Sequence, residues 1–149
     1  MSKLNPEQWT EYLHNNIPVC KAMGIEVLEA TWEGARILLP LGENVNHRET
    51  AFGGSISTAG ILACWLLINL RMRELQESPK IVVQTSETTF LTPIADAFEA
   101  ECRTEDDAQW DRFLKIYQKK GRGRLQLTST IFCGEKIAAQ HSGSFVSIK

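Results

Sequence analysis

No residue from Thr50 to Leu70 carries a charge, and that stretch constrains the fold more than any other in the chain. It follows a polar loop, Asn44 to Glu49, and enters through Gly53 and Gly54. A helix that is apolar on most of its faces must be wrapped by other protein or by lipid. A membrane span needs about 20 predominantly apolar residues. Here Ser55, Ser57, Thr58 and Asn69 interrupt the flanks of a short apolar core, Ala59 to Ile68, so the expectation is a buried central helix and no membrane span. The start of that helix is the candidate site. Gly53 and Gly54 have no side chains, so a ligand oxygen can approach backbone N–H groups that the first turn leaves unpaired. The helix dipole favours negative charge at the same place.

With 149 residues, 43% of them hydrophobic and 23% charged, the chain suits one globular domain over residues 1–149. Its net charge of -2 argues against general nucleic-acid binding, which needs a basic surface to displace counterions from phosphates. Met1 to Asn16 is polar and lacks the apolar segment of a signal peptide. Cys20, Cys64, Cys102 and Cys133 are widely spaced, as expected of reduced cytosolic thiols. Neither a C-x-x-C nor a His pair at ligand spacing occurs, since His14, His47 and His141 lie far apart, and no metal is expected.

Local signals place the elements. Asn5-Pro6-Glu7-Gln8 predicts a capped helix start, with Trp9, Tyr12 and Leu13 on one face and Pro18 and Gly24 marking the exit. Residues 25–32 and 35–41, split by Glu33-Gly34, predict a hairpin. The central helix should end near Glu74, before Ser78-Pro79. Ile81 to Leu91 then reads as a long strand ended by Pro93, and Ala95 to Arg103 is expected to pair back onto it. Trp110, Phe113, Leu114 and Tyr117 recur at helical spacing between Asp106 and Lys119. Arg124 to Phe132 and Lys136 to Ile148 predict strands joined by a two-residue turn at Gly134-Glu135. No internal repeat or linker is visible.

One long apolar helix embraced by an antiparallel sheet is the layout of the α+β hotdog fold. The residues carry the resemblance further. Asn46-His47-x-x-Thr50-Ala51-Phe52-Gly53-Gly54-Ser55 at the helix entry, Phe90-Leu91-Thr92-Pro93-Ile94 after the next strand, and Ile17 to Ile25 together resemble the hotdog thioesterases. Within them the chain is similar to a branch that also occurs C-terminal to acetyltransferase domains and includes malonyl-carrier-protein decarboxylases. The resemblance covers nearly the whole chain. It implies an acyl-CoA or acyl carrier protein substrate, no cofactor, and a homodimer that completes an open sheet edge and the site.

Hydrolysis and decarboxylation of an acyl thioester both put negative charge on its oxygen, so preorganised N–H donors stabilise either transition state. Gly53, Gly54 and Ser55 are the candidate donors, with Phe52, Ser57 and Thr58 beside them as candidate substrate contacts. Asn46 offers an amide to a carbonyl, a water or a carboxylate, or else caps a turn. The central helix contains no acid between residues 53 and 73, which leaves Glu49 and His47 as candidate bases. Each also has a plainer reading, as a solvated loop charge and a histidine bonded to a backbone carbonyl. No G-x-S-x-G surrounds Ser55 or Ser57, which makes capping or packing the expectation for both hydroxyls.

Gln118-Lys119-Lys120-Gly121-Arg122-Gly123 matches the Q-x-x-G-x-G pattern with which acetyltransferases cradle a pyrophosphate. That cradle needs a helix directly after the glycines, whereas Leu125 to Thr130 reads as strand, so the match is taken as coincidence. Lys119, Lys120, Arg122 and Arg124 still form the densest basic cluster, suited to the phosphates of coenzyme A or an acidic carrier protein, or else a solvated turn. Thioester hydrolysis is the first expectation, malonyl-thioester decarboxylation the second, and a non-catalytic acyl-binding module the third.

Overall fold

The computed structural model describes residues 3–104 and 106–149. The chain opens with α1 (Pro6–Asn16), whose first turn is closed reciprocally. The Gln8 N–H donates to the Asn5 side chain at 2.8 Å, and the Asn5 N–H donates to Gln8 Oε1 at 2.9 Å. Trp9 and Leu13 are buried on its inner face. The exit expected at Pro18 is instead a second short helix, α2 (Pro18–Ala22), because proline at the first helical position has the right φ and lacks only an N–H that would be unpaired anyway. The hairpin follows as β1 (Glu26–Thr31) and β2 (Gly34–Leu39).

After a single 3-10 turn at Gly42–Asn44 comes α3 (Gly53–Glu74), then β3 (Lys80–Phe90), β4 (Phe98–Arg103), α4 (Asp107–Lys120), β5 (Arg122–Cys133) and β6 (Lys136–Ile148). The strands form one antiparallel sheet in the order β1-β2-β4-β5-β6-β3. α3 is long and apolar enough to cross a membrane, but the sheet occupies its apolar faces. Leu66, Leu67, Ile68 and Met72 pack into the same core as Ile37, Leu39, Phe98, Ala100 and Phe145. Each such aliphatic side chain contributes about 1.5–3 kcal/mol when fully buried. The one cation buried among the described residues, Arg71, lies 4.6 Å and 5.0 Å from the ring centroids of Trp32 and Trp110, and its Nε donates to the Trp32 carbonyl at 2.7 Å.

The segment after Pro93 does not turn back on β3. Its Ile94 is buried, and the Ile94 carbonyl accepts the Ala51 N–H at 2.8 Å, so the chain is drawn across the entry of α3 to the other half of the sheet. There β4 pairs with β2 from Gly34–Arg103 to Leu39–Phe98, and with β5 over Glu99 to Glu101. The partner of β3 is β6, and β3 is left as an edge. At the end of α4, Gly121 takes φ 77° and its N–H caps the Tyr117 carbonyl at 2.8 Å, after which the chain enters β5 directly. The helix that a pyrophosphate cradle requires is therefore absent after Gly121-Arg122-Gly123.

Candidate active site at the start of the central helix

The loop into α3 is held by its own backbone and by two asparagines. Asn44 is buried, and its side-chain amide donates to the carbonyls of Met23 and Pro40, each at 2.8 Å. Its own carbonyl accepts the Phe52 N–H at 2.7 Å. Asn46 holds the turn that follows. Its Oδ1 accepts the N–H groups of Arg48 at 2.7 Å and Thr50 at 3.2 Å, and its Nδ2 donates to Thr50 Oγ1 at 2.9 Å and the Ala51 carbonyl at 3.3 Å. The Asn46 amide is thus committed to the loop, as a turn-capping residue. It positions the helix start without reaching for a ligand.

No side-chain cap closes α3. The N–H groups of Ser55 and Ile56 turn back to the Phe52 carbonyl at 2.9 Å and 3.1 Å, which removes Ser55 from the expected donors. Those of Gly53 and Gly54 meet no acceptor among the described residues. Two exposed rings flank them. The Phe52 ring lies over the face where Gly54 would carry a side chain, and the Phe90 ring is 3.6 Å from the corresponding point on Gly53. Thr58 Oγ1 is bonded back to the Gly54 carbonyl at 2.8 Å, whereas the half-buried Ser57 has no bonded partner among the described residues. The side chains of His47 and Glu49 are exposed on the loop and meet no hydrogen-bond or ion-pair partner among the described residues, while the Glu49 N–H donates to the Asn46 carbonyl at 3.3 Å and Glu49 is held at φ 63°, in the left-handed region. The result is a pair of unpartnered backbone amides between two exposed phenylalanine rings.

Residues 6–149 match the family described as "Putative thioesterase (yiiD_Cterm)". The chain belongs to this family. Among solved structures, this thioesterase-family chain is similar to the protein OLEI01261 of unknown function from Chlorobaculum tepidum, with a TM-score of 0.90, 24% identity, and coverage of 99% of this chain and 98% of that one. It is also similar to the "putative thioesterase" from Shewanella oneidensis (TM-score 0.82, 27% identity, 97% of each chain). The thioesterase HI1161 from Haemophilus influenzae shares the architecture at 12% identity, with a TM-score of 0.70 over 99% of this chain and 93% of that one. No curated protein matches the chain. The architecture is the hotdog fold.

The basic residues expected to meet phosphates do not lie at the helix start of this family member. Lys120, Arg122 and Arg124 line an open groove of about 600 Å³ with Gln84, Ile116 and Val146, at the opposite end of β3 from Phe90, and Lys119 is outside it.

A polar cluster under the middle of α3 escaped the sequence reading. His141 is 2% exposed, and its Nε2 lies 2.9 Å from Ser86 Oγ. Its Nδ1 lies 3.3 Å from Ser129 Oγ and 3.9 Å from Cys64 Sγ. Burial pushes the Cys64 thiol up, but hydrogen bonds from Cys102 and His141 and the histidine's charge outweigh burial and bring it down to about 6. Cys102, giving its hydrogen to Cys64 and itself buried, is pushed well above the ordinary thiol range. The only sequence signal was a histidine at an inward-facing strand position, between Ala139 and Gly143.

Proposed function

We propose that the chain hydrolyses acyl thioesters of coenzyme A or of an acyl carrier protein, with the thioester oxygen seated on the N–H groups of Gly53 and Gly54. The observation that carries this is the pair of unpartnered amides at the head of a 22-residue helix, between two exposed phenylalanine rings. Preorganised donors aimed where charge develops lower the barrier by roughly 3–4 kcal/mol. The Phe52 and Phe90 rings suit the apolar part of an acyl chain, and Ser57 offers a free hydroxyl beside it. Glu49 and His47, on the flanking loop, are the bases within this loop for activating water.

A homodimer accompanies this reading. β3 is an edge strand with Val82 50% and Val83 42% exposed, an apolar edge of the kind that invites strand pairing. Lys80 near one end and Glu87 near the other let a second antiparallel copy set each against its opposite by two-fold symmetry. Light scattering should give a dimer, and a monomer at micromolar concentration with full activity removes a shared site.

The deciding experiment is a panel of acyl and malonyl thioesters, on coenzyme A and on carrier protein, scored for free thiol and for carbon dioxide. Free thiol from simple acyl thioesters, lost in Glu49→Gln or His47→Ala, is the expected result. Carbon dioxide from malonyl thioesters, untouched by both substitutions, replaces hydrolysis with decarboxylation, for which the absence of an acid between residues 53 and 73 is the sole support. No turnover of any substrate leaves an acyl-binding module.

A further inference from the structure

The Ser86, His141 and Ser129 side chains form a chain of hydrogen bonds whose direction can be assigned. Ser129 Oγ donates to the Gly60 carbonyl at 2.8 Å, so its one hydrogen is spent and it can only accept from His141 Nδ1 at 3.3 Å. In the neutral imidazole this sets the tautomer, with hydrogen on Nδ1 and a lone pair on Nε2. The lone pair faces Ser86 Oγ at 2.9 Å, so the serine hydroxyl donates to it. Base and orienting group are buried, while Ser86 is exposed.

Ser86 faces His141 only because β3 contains an extra residue. Val83 stands opposite Phe145 and Thr85 opposite Ser144, so Gln84 is unmatched and every later side chain of β3 changes face. Without that bulge Ser86 would project from the outer surface of the sheet. The bulge therefore aims a hydroxyl at a base, and such irregularities recur beside active sites.

We propose that Ser86 is a nucleophile with His141 as its general base, forming a second centre that accepts acyl groups from thioesters or other activated carboxylic esters. As the Oγ–C bond forms, the hydroxyl proton passes to Nε2. Collapse of the tetrahedral adduct breaks the C–S or C–O bond, and the departing thiolate or alkoxide takes the proton from Nε2. The product is an ester on Ser86. Water then attacks that ester while giving its proton to Nε2, and Ser86 recovers the proton as the carboxylic acid leaves. Cys64, 3.9 Å from Nδ1, is placed to balance the positive charge on the imidazole during each transfer. This centre is separate from the helix start: Ser86 precedes Phe90 by four residues, about 13 Å of strand, too far for one carbonyl to be held by both.

The test is labelling of the full chain with an alkyl fluorophosphonate, in which Oγ displaces fluoride from phosphorus, followed by intact mass and peptide mapping. One adduct on Ser86 is expected, absent in Ser86→Ala and formed about a hundredfold more slowly in His141→Gln. If His141→Gln does not fold, Ser129→Ala, which frees the imidazole to take the other tautomer, should slow labelling in its place. A folded chain left unlabelled at Ser86, under conditions that fully label a serine hydrolase, overturns the nucleophile, as does an unchanged rate in the folded His141 or Ser129 variant. No thioester enters this experiment, so a negative result leaves hydrolysis at α3 standing. Labelling without any thioester turnover supports the nucleophile and defeats hydrolysis at α3.

Discussion

Gly60 of α3 and His141 of β6 are packed so closely that a Cβ added to the glycine would stand 2.6 Å from the histidine Cβ and 2.8 Å from its Cγ. Neither neighbour is the far end of a flexible side chain. The helix rests on the sheet through the absence of a methyl group, and that contact brings the Gly60 carbonyl within reach of Ser129.

Gly60→Ala decides between two effects of opposite sign. Helix propensity alone favours alanine by about 1 kcal/mol, while overpacking a tight contact costs about 1–3 kcal/mol. The rigid contact should win, and the variant should be less stable in urea denaturation. A raised midpoint would mean that α3 and β6 slide apart freely.

Asn46→Ala removes four hydrogen bonds from the loop before α3. Stability should fall by about 1–3 kcal/mol, and thioester turnover should fall with it as the Gly53 and Gly54 amides lose their fixed placement. Gly54→Val acts differently, since the nearest atoms to its new Cβ belong to the exposed Phe52 ring, which can move. It should fold normally and lose about a hundredfold in kcat. Normal rates in a folded Gly54→Val protein would remove these amides from the chemistry.

Reversing charge at Lys120 and Arg124 tests the groove they line with Arg122. If it binds phosphates, Lys120→Glu with Arg124→Glu should raise KM for coenzyme A thioesters and leave KM for a pantetheine thioester unchanged. The difference should shrink with added salt, because exposed charges are screened within about 10 Å at 0.1 M. Equal KM changes for both substrates would exclude a phosphate contact.

Alkaline stability should reflect two buried groups. Burial pushes the Cys20 thiol up to about 11, and burial with the Glu77 carboxylate pushes the Tyr117 hydroxyl up to about 12. Both are held protonated in the fold while the unfolded chain releases their protons earlier. Their contribution is whole below the unfolded values and is lost as pH rises through about 9 to 12. Melting temperature should therefore decline across that window, and less steeply in Tyr117→Phe. An identical decline in that variant would assign the effect elsewhere.

The sequence by itself determined the elements whose cause is local. The reciprocal Asn5 and Gln8 bonds, the helix from Gly53 with no charge before Arg71, the Gly134-Glu135 turn and the inward stripe of Trp110, Phe113 and Tyr117 depend on residues a few positions apart. Family membership and the hotdog layout were legible for the same reason, since they rest on the run around Gly53-Gly54 and on the order of elements. Tertiary structure decided which strands meet. Ala95 to Arg103 has a pattern that fits β3 as well as β2, and only burial of Ile94 over the entry of α3 sends it across the sheet. It also decided that the Asn46 amide is consumed by its own loop and that the Ser55 N–H is already bonded. The Ser86, His141, Ser129 and Cys64 cluster left no trace in spacing, because its members come from β3, β6, β5 and α3, up to 77 positions apart. They meet because one unmatched residue in β3 turns Ser86 inward and a missing side chain at Gly60 lets the helix descend onto the histidine. Register and close packing are properties of several segments together, and no single segment encodes them.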